Sequence, residues 1–449
     1  MMAEINIILR GVEFMKKMML VVVLTAILCS SIYGVVMASC ENCQQQPAVR
    51  SIYLQWPRVE QAVAYEVELV DAAQVQTGQT PDAVKPFWHA DNIYTQGCNV
   101  QLPENFSGRE FYWRVRGLNL QRQPQNRYTV WQQENIDSKT VAEVQKPLPT
   151  ARGGRHNGTT LLYPVYAWLP LQGVRNYEVE ILDALPENPN TDQPSKHRIA
   201  SLPATGFDLY DDTARIADGK LYWRVIGKND QDETVGVYSD AVPFGAAPSK
   251  NYKVAVLGDS ITHGGGSISY SPSDWEYSYL YYLDFNVLNV GCSGDTSATT
   301  LARFDQDVLP FHPEYLLIMT GSNSLRADVP AEDVIADLEA IKQKCLDNEI
   351  TPVFLTLPPI NPDNIWKAFK EETTADWQAK FVRVNEYIQQ QTYVDSAAGM
   401  ADEEGILPTR LALDGLHLDP PGKVMMAAAI NRAWPDILRQ TKSRNTNEQ

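Results

Sequence analysis

Lys253-Val254-Ala255-Val256-Leu257-Gly258-Asp259-Ser260-Ile261-Thr262 is the stretch that decides the fold of the C-terminal part of this chain. The run from Val254 to Leu257 is apolar without alternation, so it reads as a strand buried on both faces and stopped by Gly258. Similar runs follow at residues 286–290, 315–319, 352–357 and 392–395. Helical patterns separate them: Val334, Leu338, Ile341 and Cys345 fall on one helical face, and so do Phe381, Val384 and Ile388. Strand and helix alternating in this way imply a parallel sheet between two helical layers, a three-layer α/β domain. Ligands of such sheets bind beyond the carboxyl ends of the strands, so the residues just after each run matter most.

Upstream of residue 248 the pattern changes and repeats itself. Trp56 stands nine residues before Tyr65-Glu66-Val67-Glu68, and Trp168 stands nine before Tyr177-Glu178-Val179-Glu180. Phe111-Tyr112-Trp113-Arg114-Val115 is matched later by Leu221-Tyr222-Trp223-Arg224-Val225, at an offset of 110 residues against 112 for the first motif. Two motifs at nearly one period indicate a tandem duplication. Tyr65, Val67 and Leu69 alternate with Glu66 and Glu68, the period of a half-buried strand, and units of this size with such strands suggest β-sandwiches. Both units resemble fibronectin type III-like modules in the early Trp and the late Tyr-Trp-Arg-Val strand. The four matched tryptophans read as core rather than as a sugar platform. Residues 146–158 and 244–250 read as linkers, which gives repeats at 39–147 and 148–247, an α/β domain at 248–441 and a polar tail at 442–449.

The chain has 449 residues and a formal net charge of −17, with 44% hydrophobic residues, so a soluble multidomain protein is expected. Nucleic acid is excluded as a partner, because phosphate backbones are held by clustered Lys and Arg. Residues 1–38 have the layout of a secretory signal peptide: Lys16-Lys17, the apolar run from Met18 to Leu28, then small residues ending at Ala38. Cys40, after Met37-Ala38-Ser39, loosely resembles a lipidation site; simple cleavage after Ala38 is the other reading. Export is therefore expected, to the periplasm, the cell surface as a lipoprotein, or the medium, with membrane contact only through that anchor. Cys40, Cys43, Cys98, Cys292 and Cys345 are too few and too uneven for a disulfide framework. No His-Glu-x-x-His and no paired Cys-x-x-Cys set is present, and no metal or other cofactor is expected.

Chemistry gathers after the apolar runs. Ser260, at a strand-to-helix turn, offers a hydroxyl and a backbone N–H. Gly294, in Gly291-Cys292-Ser293-Gly294-Asp295, lets the backbone approach a reacting carbonyl. Asn323, in Gly321-Ser322-Asn323-Ser324, has an amide that donates to an oxyanion. Asp414-Gly415-Leu416-His417 sets an acid three residues before a base, close enough to hold Nδ1–H of His417 and leave Nε2 for the serine proton. His263, three residues after Ser260, has no acid placed to orient it and reads as a surface or site-lining histidine. Cys292 reads as a buried small hydrophobe rather than a nucleophile.

These four segments, in this order, resemble the SGNH (GDSL-like) hydrolases, whose Ser, Gly, Asn and His are matched by Ser260, Gly294, Asn323 and His417. The third block departs from the family at Ser324, where Asp is usual. The resemblance implies a flavodoxin-like parallel sheet and a serine esterase, with Ser260, His417 and Asp414 catalytic and Ser260, Gly294 and Asn323 forming the oxyanion hole. Asp259, His263 and Trp275 are candidates for lining the substrate site. Export, the sandwich modules and an acidic surface favour short acyl esters of carbohydrate as substrate. A lysophospholipase or thioesterase acting on longer chains, and a non-catalytic glycan-binding surface protein, are the alternatives.

Overall fold

A computed structural model describes residues 50–447 except 60–61, 104–109, 120, 137–143, 151–158 and 267–274. The expected signal segment and Cys40 lie outside the described residues. No described helix is long and apolar enough to cross a membrane.

Each N-terminal repeat is built of antiparallel strands in two sheets. In the first, strands Trp88–Ile93, Ala64–Asp71, Glu110–Leu118 and Gln132–Asn135 lie side by side, and Ser51–Gln55 pairs with Gly97–Gln101. In the second, the larger sheet contains Arg198–Thr205, Asn176–Leu182 and Leu221–Lys228, and the smaller contains Asp208–Tyr210, Val165–Leu169 and Leu148–Pro149. The duplication extends to register: Val67 faces Val115 and Glu68 faces Arg114 in one copy, as Val179 faces Val225 and Glu180 faces Arg224 in the other. In both copies the two sheets share a core. Ile52, Leu54 and Val100 meet Tyr65, Val67, Trp113 and Val115 in the first; Tyr166 and Trp168 meet Tyr177, Val179 and Trp223 in the second. Trp56, Trp113, Trp168 and Trp223 are all buried, so none offers a face to a ligand.

The C-terminal domain is a parallel α/β sandwich. Its sheet contains β1 (Thr159–Leu161), β2 (Val254–Gly258), β3 (Val287–Gly291), β4 (Tyr315–Met319), β5 (Thr351–Leu355) and β6 (Tyr393–Val394), in the spatial order β6-β5-β4-β2-β3-β1 with every pair parallel. The short helices α1 (Ser260–His263) and α2 (Ser297–Ala302) follow strand ends, α3 (Phe304–Asp307) follows α2 directly, and α4 (Ser322–Arg326) again follows a strand end. Longer ones, α5 (Ala331–Asp347), α6 (Pro362–Phe369), α7 (Trp377–Ile388) and α8 (Pro420–Asn447), complete the domain. Val334, Leu338, Ile341 and Cys345 of α5 and Phe381, Val384 and Ile388 of α7 are its buried stripes, as their spacing requires. The strand order reverses at β2, so the loops after β2, β3 and β4 converge on one crevice.

Two expectations need correction. The sheet has six strands rather than five, because β1 comes from within the second repeat: Thr159, Thr160 and Leu161 pair in parallel with Val287, Leu288 and Asn289. Leu162 and Tyr163 then enter the core of the α/β domain, and the Tyr163 hydroxyl donates to Asp307 at 2.6 Å. Residues 244–250 are not a free linker either. Ala246 is fully buried in the same core, donates its N–H to Arg215 at 3.0 Å and accepts one from Ala217 at 2.9 Å. A stretch whose backbone is bonded to repeat 2 and whose side chain is buried in the α/β core cannot swing. Repeat 2 and the α/β domain are thus one packed body. Repeat 1 also reaches the α/β domain, through an Arg58–Glu276 ion pair, and meets repeat 2 where Trp88 Nε1 donates to Gln172.

Candidate active site

Ser260 opens helix α1 directly after β2. Asp259 caps that helix, its Oδ1 accepting the Ile261 N–H at 3.0 Å, which holds the turn so that Ser260 faces the crevice. On the opposite wall, Asp414 makes a tight turn: Oδ1 accepts the N–H groups of Leu416 and His417, each at 2.8 Å. Gly415 takes φ +81° there, and a Cβ would lie 2.4 Å from the Asn361 carbonyl, so both conformation and space require glycine. The second carboxylate oxygen, Oδ2, lies 2.9 Å from His417 Nδ1. A carboxylate accepts, so Nδ1 carries the hydrogen and Nε2 keeps its lone pair. That nitrogen stands 2.9 Å from Ser260 Oγ, which donates to it. The structure therefore brings Ser260, His417 and Asp414 into one hydrogen-bonded chain, with Asp414 buried and Ser260 at the cleft floor.

Gly294 and Asn323 meet at the same cleft. Gly294 takes φ +89° with open space around it, so its place is set by backbone conformation rather than by crowding. The N–H groups of Ser260 and Gly294 have no partner among the described residues. The Asn323 amide is oriented from both sides: Arg326 Nε donates to its Oδ1 at 3.1 Å, and its Nδ2 donates to the Asp295 carbonyl at 2.9 Å. One N–H of Asn323 remains for a ligand. The unusual Ser324 is accommodated. Its hydroxyl accepts the Ser297 N–H at 2.9 Å, and Ser297 Oγ donates to Asp337 at 2.7 Å. The acid is displaced one side chain outward, and the start of α2 stays tied to α4. Beneath these loops, Arg303 donates to the carbonyls of Val290 at 2.7 Å and Gly258 at 2.9 Å, pinning the ends of β3 and β2.

Asp259 and His263, expected as lining residues, do not line the cleft. Asp259 is buried behind Ser260, and burial pushes its carboxyl up to about 6; Oδ2 has no hydrogen-bond partner among the described residues. His263 is not a surface residue either. It is 2% exposed, and burial pushes its pKa down to about 4, so the ring is neutral. Its Nε2 donates to the Tyr163 carbonyl at 2.7 Å and its Nδ1 accepts from Ser293 at 2.8 Å. It thus ties repeat 2 to the Ser293-Gly294 loop. Trp275 lines nothing that can be stated, since its side chain lies outside the described residues. Cys292 is half-buried rather than buried, and desolvation pushes its thiol up to about 11, far from a thiolate nucleophile at neutral pH.

The cleft, of about 290 Å³, is also lined by Tyr210, Ser293, Arg326, Phe369, Glu371 and Leu416, which the sequence reading missed. Arg326 had a usable signal, being three residues after Asn323 on one helical face. Glu371, paired with Arg326 at 2.6 Å, and Tyr210, from repeat 2, had none. Lys423 of α8 is fully buried and donates to the Ile261 carbonyl at 3.3 Å, behind the nucleophile's turn; burial lowers its pKa to about 8.

Residues 256–423 match the family model described as GDSL-like Lipase/Acylhydrolase. Among solved structures, a GDSL-like lipase from Bacteroides thetaiotaomicron is 21% identical, covering 42% of this chain and 90% of its own, with a TM-score of 0.35. The lipase/acylhydrolase from Enterococcus faecalis is 22% identical over 40% of this chain and 94% of its own, at a TM-score of 0.33. A catalytic mutant of an acetylxylan esterase from Geobacillus stearothermophilus is 20% identical over 40% and 93%, at 0.32. No curated protein matches the sequence. The α/β part of the chain, residues 256–423, is a GDSL-like lipase/acylhydrolase domain.

Proposed function

We propose that the protein is an exported serine esterase that removes short acyl groups, acetyl above all, from carbohydrate. The observation that carries the esterase chemistry is the chain Ser260 Oγ–His417 Nε2 at 2.9 Å and His417 Nδ1–Asp414 Oδ2 at 2.9 Å, opening on a cleft shared with Gly294 and Asn323. Ser260 attacks the ester carbonyl while His417 takes its proton. The tetrahedral oxyanion is held by the N–H groups of Ser260 and Gly294 and the free N–H of Asn323. His417 returns the proton to the leaving alkoxide, which departs as the alcohol and leaves an acyl group on Ser260. Water then attacks, giving its proton to His417, and the carboxylic acid is released as Ser260 is re-protonated. Asp414 holds the imidazole and its positive charge throughout.

A short acyl group suits the lining. Phe369 and Leu416 are the aliphatic or phenyl side chains there, beside four glycines and the Arg326–Glu371 pair, and no apolar channel for a long chain appears among the described residues. The fibronectin type III-like reading of the repeats and the signal segment support an extracellular polysaccharide as the substrate's carrier. The test is hydrolysis of p-nitrophenyl acetate, butyrate and octanoate, with Ser260→Ala and fluorophosphonate labelling alongside. Activity falling with chain length and lost in the variant supports the proposal. Preference for octanoate moves the substrate to lipids or thioesters. Absence of both turnover and labelling leaves the glycan-binding reading.

A further inference from the structure

We propose that the second repeat carries a glycan-binding groove that continues the cleft, so that a neutral carbohydrate chain lies across Tyr210 while its ester reaches Ser260. The inference rests on the carbohydrate-esterase reading above and adds to it a second site, on another domain.

A cavity of about 720 Å³ lies on repeat 2, within the range of ligand sites. Its wall includes Asn176, the first residue of one strand, Thr205, the last of its neighbour, the strand Asp208–Tyr210, and the turn after Lys228. Tyr210 lines this cavity and the catalytic cleft alike, so the two meet at one side chain. That ring is 42% exposed and is placed by an edge-to-face contact with the buried His263, 5.7 Å between centroids. His263 in turn belongs to the helix that begins at Ser260. The distance from groove to nucleophile is therefore fixed by packed groups rather than by a tether.

The chemistry of the groove selects a hydroxyl-rich, uncharged ligand. Asp208 forms no ion pair among the described residues, and burial pushes its carboxyl up to about 6. Sugar hydroxyls donate to a partly desolvated carboxylate of this kind. Lys228 Nζ donates to the Asp232 carbonyl at 3.4 Å and stands 3.7 Å from the Glu178 carboxylate and 3.9 Å from that of Asp232, which leaves ammonium hydrogens for ring or hydroxyl oxygens. Asp208, Asp230 and Asp232 against one lysine disfavour uronate, sulfate or phosphate groups on the chain. Tyr210, 42% exposed at the junction, offers aromatic surface to a sugar ring.

The test uses the full chain carrying Ser260→Ala, titrated calorimetrically with xylohexaose, cellohexaose and mannohexaose. At least one hexaose is expected to bind, with a Kd raised at least tenfold by Tyr210→Ala or by Lys228→Ala; Lys228 ends its strand with a side chain 15% exposed, so an unchanged melting curve accompanies the variant. Tyr210→Phe should bind as the parent does. No binding of any hexaose, or binding that both alanine variants leave intact, overturns the groove. A kinetic arm separates the two readings. With Ser260 intact, turnover of p-nitrophenyl acetate but of none of the corresponding O-acetylated polysaccharides sinks the carbohydrate reading itself. Turnover of a polysaccharide, with an unaltered ratio of polymer to p-nitrophenyl kcat/KM in Lys228→Ala, overturns the groove alone; a ratio lowered tenfold supports it.

Discussion

Leu162→Ala is the substitution that best tests whether the second repeat completes the catalytic core. Leu162 lies 92 residues before Val254, where β2 begins, yet its side chain is fully buried in the core of the α/β domain. Its N–H donates to the Asn289 carbonyl at 2.9 Å, and its carbonyl accepts from Arg215 at 2.9 Å, so the backbone will hold the site open when the side chain is cut back. Removing three carbons forfeits about 2.4 kcal/mol of transfer free energy at about 0.8 kcal/mol each. A wall that cannot collapse adds a cavity term, which brings the loss to about 3–5 kcal/mol. With a urea m-value of about 2–3 kcal/mol/M, the midpoint should fall by about 1–2 M. Urea unfolding is followed by residual hydrolysis of p-nitrophenyl acetate and, in parallel, by far-UV circular dichroism. The activity midpoint should move with the dichroism midpoint. If the activity midpoint stays at the parent value, the 159–163 segment is not part of the catalytic core, and the reasoning is refuted.

Asp414→Asn keeps the turn but loses the acceptor charge and favours the wrong imidazole tautomer, so kcat should fall about 10⁴-fold, as steady-state assay with a short ester will show. Asn323→Ala should lower kcat about 10²–10³-fold with KM little changed; Arg326→Ala, which only orients that amide, should cost less, and a larger loss would make Arg326 a direct substrate ligand. For Asp259 the folded pKa is about 6 against 3.8 for the free side chain. The native state therefore holds a proton that the unfolded chain releases between about pH 4 and 6, and stability falls as pH rises through that window, by up to about 3 kcal/mol. Asp259→Asn should flatten this part of the Tm-against-pH curve, and a curve of unchanged slope would contradict the burial argument.

The α/β domain was legible because buried parallel strands and amphipathic helices write continuous and 3.6-residue patterns into the chain, and β4 was read to the residue. The acid–base pair of the triad was legible because its spacing is local: Asp414 sits three residues before His417. Contacts made across domains left no such trace. Thr159-Thr160-Leu161 is too short to show a period, and nothing in it says that its partner is Val287–Asn289 rather than its own repeat. His263 looked like a surface residue because the elements that bury it, Tyr163 and Tyr210, come from repeat 2. A sequence pattern reports which face of an element is apolar, not which distant element will cover it.

The sixth strand also sets a timetable for synthesis. Thr159 leaves the ribosome 128 residues ahead of Val287, the residue it will pair with. At about 5–20 residues per second that is a wait of about 6–25 s, during which repeat 2 can close its own core while β1, Leu162 and Tyr163 remain without their partners. The strand is an open edge for that interval, the kind of surface that pairs with neighbouring chains. Production of this protein should accordingly depend on what shields a nascent chain between the completion of repeat 2 and the arrival of β3.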